Sequence, residues 1–190
     1  PWWQVVATRD AFVQPTRWAR ADWMNIAIDS VIVLFAVQFA SDRTRPFFLA
    51  AFVAGLIGVA TAIAGTEFTR NVLLTSIQLW RTHWILHFLA VGTLPFVIHG
   101  LWKLPGTGRA TAALLVTAFV SVRYPGSTGA ILLALGMHLG AARGLKLSVF
   151  SERVLFIVCA LAIIAAVGAQ FNLWFIANPE PLGSGLFGND

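Results

Sequence analysis

Apolar positions in this chain gather into six runs, near 23–41, 47–66, 83–102, 110–122, 124–142 and 154–177, joined by short polar connectors. Asp29 alone among the charged residues falls inside a run. A helix needs roughly 20 apolar residues to cross a hydrocarbon core about 30 Å thick, so most of these runs are long enough to span. The run 110–122 is the exception, reaching only about 20 Å at 1.5 Å per residue. Arg123 and the Tyr124-Pro125-Gly126 break then separate it from the next helix. The pattern predicts an all-α, polytopic transmembrane bundle of about six spans, two of them short. Five spans with a re-entrant hairpin over 110–142 is the alternative.

Connectors refine this reading. Ser41-Asp-Arg-Thr-Arg-Pro46 is short enough to make the first two spans an antiparallel hairpin. Residues 67–82 form a longer connector in which Glu67, Arg70, Gln78 and Arg81 alternate with apolar residues, as in a helix lying on the membrane surface. Pro95 is expected to kink the third span. Small residues at Ala54 and Gly58, at Gly136 and Gly140, and through 160–169 provide faces for close helix approach, within the chain or against another subunit.

Composition supports the membrane assignment. Of the 190 residues, 58% are hydrophobic and 11% charged, whereas about a quarter of a soluble domain is charged. The stretch 154–177 carries neither a charge nor the polar stripe that a water-facing helix needs. One domain is expected over 23–177, preceded by an interfacial segment at 1–22 and followed by a polar tail at 178–190. Trp2, Trp3, Phe12 and Trp18 among Arg9, Arg17 and Arg20 give the first segment its interfacial character, and Trp23, Trp80, Trp84, Trp102 and Trp174 sit near span ends. It lacks the charged and then apolar order of a signal peptide.

The net charge of +5 is spread over nearly all connectors. That distribution suits lipid phosphates and gives no nucleic-acid signal. The cationic connectors are almost evenly divided between the two faces, and the acidic tail weakly places both termini on the non-cytoplasmic side. Cys159, the one cysteine, lies mid-run and can form no internal disulfide.

Candidate chemistry rests on the four histidines and Asp29. His83 and His87, spaced i, i+4, share one helix face and are candidate metal ligands, with Glu67 a possible third donor. His99 and His138 lie at equal depth below one membrane face on helices running the same way. Such a pair suits a haem or chlorophyll-type tetrapyrrole, with Gly100, Gly136 and Gly140 leaving room for the macrocycle. Hydrogen bonding to carbonyls or lipid phosphates is the plainer role for all four. Asp29 is an ionisable group inside a span and so a candidate for a proton or ion path; Asn25, Ser30, Gln38, Gln170 and Asn172 are its candidate polar partners.

Two short segments invite comparison with known families. Arg81-Thr82-His83-Trp84 resembles the opening of bacterial b-type cytochrome helices, although the spacing differs and the later histidines are missing. Gly126-Ser127-Thr128-Gly129 resembles the Gly-x-Ser-Gly site of rhomboid intramembrane proteases. Thr128 stands at the serine position and no histidine follows His138, so the resemblance implies an inactive rhomboid-like protein; helix capping by Ser127 and Thr128 is the simpler expectation. No nucleotide, zinc-protease or paired-carboxylate motif occurs. The expected function is an anchor or accessory subunit of a larger membrane complex, without catalysis of its own, whose partners are the bilayer and other membrane subunits. A small transporter with a polar path through Asp29 is the alternative.

Overall fold

A computed structural model describes residues 14–144 and 146–177, and no strand occurs among them. A single 3-10 turn at Pro15–Arg17 leads into α1, Arg20–Phe39. The Asp22 carboxylate accepts the Ala19 N–H at 3.0 Å, placing an acid at the positive end of the helix. After the turn at 40–44, closed by the Thr44 N–H donating to Ser41 O at 3.0 Å, Pro46 opens α2, Arg45–Ile63. The predicted hairpin is therefore present. The interfacial segment expected at 1–22 and the tail at 178–190 fall mostly outside the described residues.

The connector after α2 is more broken than one surface helix. It comprises a π-helical turn at Ala64–Phe68, the short α3 at Val72–Ser76 and a 3-10 turn at Leu79–Thr82. Asn71 caps α3 by accepting from the Leu73 and Leu74 N–H groups. Arg70 and Gln78 take left-handed backbone angles, φ 46° and 56°, which turn the chain between these pieces.

Four helices follow: α4 at His83–Lys103, α5 at Gly108–Val120, α6 at Gly126–Ala142 and α7 at Val149–Ala177. α1 packs mainly on α4 and also on α2, while α5 packs mainly on α6, with α4 and α7 on its other sides. Leu86, Ala90, Val97 and Leu101 form one buried stripe on α4, and Ile28, Ile32, Val33 and Ala36 supply the facing surface of α1. Two tight approaches explain particular glycines. A Cβ on Gly58 would stand 1.9 Å from Thr82 Oγ1, and one on Gly108 would stand 2.2 Å from Leu101 O.

Four stretches, Arg20–Phe39, Arg45–Phe68, Leu79–Lys103 and Val149–Asn172, are helical, long and apolar enough to cross a bilayer. Their outer surfaces are apolar: Leu49, Val53, Leu56 and Ile57 on α2, and Val154, Ile157, Val158, Leu161 and Ile164 on α7, are all exposed. Only 11% of the most apolar window of α7 is buried, against 39% for α1. So much outward apolar surface is stable in lipid and not in water.

The short α5 is among the most enclosed helices, with Ala110, Thr111, Ala112, Leu114, Leu115, Thr117 and Ala118 buried. Its neighbours screen it from lipid, so its length need not match the hydrocarbon thickness. The turn after it reaches the opposite end of the bundle, where Arg20 at the start of α1 donates to Pro125 O at 3.3 Å and to Thr128 Oγ1. At the other end, Thr107 Oγ1 donates to Met137 O at 2.8 Å. The α5–α6 hairpin thus makes contacts at both ends of the bundle.

Candidate functional site

Asp29 is 1% exposed on the face of α1 that meets α4. Its Oδ2 lies 3.0 Å from His87 Nδ1, so a proton on Nδ1 is donated to the carboxylate. The His87 ring also stacks on Phe119 of α5, with centroids 6.4 Å apart and planes 15° apart. Three helices therefore meet at one carboxylate–imidazole pair. The pair is asymmetric in access, its side chains being 2% exposed at Asp29 and 35% at His87. Of the two side chains, the imidazole is the one the surroundings can reach. Beside it, Ser30 Oγ is buried without a hydrogen-bond partner.

One turn earlier, His83 lies in an aromatic group at the start of α4. Its Nδ1 lies 2.6 Å from Trp80 O, and its ring lies 6.0 Å from Trp80 and 5.7 Å from Trp18. Trp18, Asp22, Trp80, His83 and Trp84 line a cavity of about 90 Å³. The i, i+4 spacing does put His83 and His87 on one face, but their Nδ1 atoms already serve different oxygens. Glu67 does not join them: its Oε1 accepts from Thr16 Oγ1 at 2.6 Å. No group of three or more His, Cys, Asp or Glu able to hold a metal occurs among the described residues.

His99 and His138 have different surroundings. His99 is exposed on α4. His138 of α6 is half-buried, edge-on to Phe35 with centroids 4.8 Å apart, in a cleft of about 180 Å³ whose described lining also includes Gln38 but not His99. Space near Gly100 is already filled by Phe39, whose ring is 2.8 Å from where a Cβ would stand, whereas Gly136 faces open space.

Two of the partners suggested for Asp29, Gln170 and Gln38, are engaged or placed elsewhere. Gln170 Nε2 donates to Val120 O at 3.3 Å, and Gln38 lines the His138 cleft. Capping of α6 by Ser127 and Thr128 is also replaced by other bonds. Ser127 Oγ donates to Tyr124 O at 2.8 Å, and Thr128 Oγ1 meets Arg20 and Met24 Sδ. A buried serine back-bonded to its own turn is not presented as a nucleophile. The Asp29–His87 pairing was the relation missed from sequence. A signal existed, because each residue lies eight or nine positions beyond Leu79 or Arg20, the starts of two parallel helical segments. No known protein family, characterised protein or solved structure matches the chain.

Proposed function

We propose that this chain is the membrane-embedded anchor or accessory unit of a larger membrane complex, with the Asp29–His87 hydrogen bond locking α1 to α4. The carrying observation is that, among the described residues, the hydrogen bonds of the other intramembrane polar groups do not extend this pair into a chain. Proton and ion paths use several polar groups in series, but Thr93 Oγ1 donates to its own helix at Leu89 O, 2.7 Å away, and Gln170 bonds Val120 O. Inverted-repeat transport is also poorly supported by the two three-helix halves, whose helices have 20, 19 and 21 residues against 13, 17 and 29. A tetrapyrrole held by His99 and His138 is the cofactor proposal within this reading, and metal at His83 and His87 is the lesser one.

A second reading, a small proton-coupled transporter, draws on the accessible edge of His87 beside a hidden carboxylate. Gentle isolation of the full chain from its own membrane, followed by reconstitution, separates the two. The anchor reading expects a larger assembly of fixed stoichiometry and, in vesicles loaded with a pH-sensitive dye, no flux dependent on Asp29. A solitary chain giving proton flux that Asp29→Asn abolishes would replace it with the transporter. Oxidised and dithionite-reduced spectra of the same preparation test the cofactor. A Soret band lost in His99→Ala and His138→Ala supports the tetrapyrrole, and pigment unchanged in both variants removes it.

A further inference from the structure

At the opposite end of the bundle from Trp18 and His83, a cleft of about 410 Å³ is lined by Trp102 at the end of α4, Arg109 at the start of α5, and Val149, Glu152, Arg153 and Phe156 on the first turns of α7. We propose that it is a binding site for an anionic phospholipid, whose phosphate is held by Arg109 and Arg153. Both arginines are exposed, and neither forms an ion pair among the described residues, with Glu152 or any other acid. The Arg109 guanidinium lies 5.6 Å from the centre of the Trp102 ring, which in turn packs edge-on against Phe156 with centroids 5.8 Å apart. The aromatic contact holds the guanidinium at the cleft without neutralising it. Guanidinium groups bind phosphate through paired, charge-assisted hydrogen bonds.

The remaining lining selects among phosphate compounds. Trp102, Phe156 and Val149 form an apolar wall at a span end, the depth of the glycerol and first acyl carbons, where a soluble phosphate would leave that wall unused. Basic pockets between transmembrane helices are a recurring form of anionic-lipid site. Glu152 sits in the first turn of α7, where the helix dipole favours an acid. Two arginines and one glutamate leave the cleft with a net positive charge, which matches a headgroup of single negative charge whose hydroxyls donate to the glutamate. Phosphatidylglycerol has that chemistry. The surrounding face is cationic as well, with Arg43, Lys103, Arg143 and Lys146 at or beside its connectors, while Arg45 pairs with Asp42.

The test is native mass spectrometry of the full, detergent-solubilised chain titrated with phosphatidylglycerol, phosphatidylcholine or inorganic phosphate. One phosphatidylglycerol is expected to be retained at least tenfold more tightly than phosphatidylcholine. Arg109→Gln/Arg153→Gln should remove that preference, and Arg43→Gln/Arg45→Gln, on the same face but outside the cleft, should change it less than twofold. Helical content by circular dichroism verifies that each variant is folded, and Arg153→Gln alone repeats the test with a milder change. Equal retention by the wild type and the folded cleft variants would overturn the proposal. So would equal retention of the two lipids, or displacement of phosphatidylglycerol by stoichiometric inorganic phosphate, which would make the cleft a site for a soluble anion.

Discussion

Removing the imidazole from Asp29 leaves a carboxyl group enclosed by α1 and α4 with no other side-chain hydrogen bond among the described residues, and the cost of that orphan exceeds the worth of the hydrogen bond itself. Unfolded chains in a bilayer also find polar partners, which lowers the figure for interhelical bonds in membranes to about 0.6–2 kcal/mol. His87→Leu is therefore expected to destabilise the bundle by roughly 1–3 kcal/mol, towards the upper end because Asp29 is 1% exposed. Asp29→Leu/His87→Leu should recover most of that loss, since neither polar group is then left behind. Reversible unfolding in mixed micelles measures the cycle, and a double variant as unstable as the sum of the singles would deny the pair its coupling. At this scale the sequence exposed Asp29 as the anomalous residue but did not name His87 as its partner. Helix spacing gives depth along a span, and the rotation that aims Asp29 at α4 comes from packing.

Helix contacts divide the small residues into those that bring helices together and those that do not. Gly55 and Gly58 of α2 meet Leu86 and Thr82, whereas Gly136 of α6 has nothing within 4 Å of a Cβ position. Gly58→Ala must push α2 away from the start of α4 and should cost about 1–3 kcal/mol, as overpacking generally does. Gly136→Ala should stay within about 0.5 kcal/mol, as substitutions away from packed features do. Equal effects in the same unfolding assay would contradict this assignment of the helix faces. Both glycines occur in small-xxx-small patterns in the sequence, so the motif alone did not discriminate between them. With apolar residues all around each helix, no polar stripe marks the outward side. The short α5 illustrates the same limit, because a run of only 13 residues suggested a re-entrant segment, while packing against α4, α6 and α7 encloses so short a helix within the bundle.

For the whole molecule, the turns at 40–44 and 104–107, with residues 143–144 and 146–148, belong to one end, and the connectors at 64–82 and 121–125 to the other. In a Cys159→Ser background, Ser41→Cys and Ser148→Cys should react with a membrane-impermeant maleimide from one side, and Arg70→Cys and Arg123→Cys from the opposite side. Labelling of Arg123→Cys from the Ser41 side would restore the re-entrant hairpin. The side reached by Ser41→Cys also tests the proposal that both termini are non-cytoplasmic, which expects it to be cytoplasmic. By itself the sequence determined that the chain is helical, lies in a membrane and forms a hairpin at 40–46, because charge-free runs of spanning length and polar turns are local properties with a large transfer free energy behind them. Tertiary structure alone decided that Asp29 pairs with His87, that His99 and His138 have separate surroundings, and that Arg109 and Arg153 share a cleft. Those relations depend on helix rotation and neighbour order, and in helices apolar on every side these are set by the fit of particular side chains, Leu86 against Gly55 and Thr82 against Gly58, rather than by any periodicity along the chain.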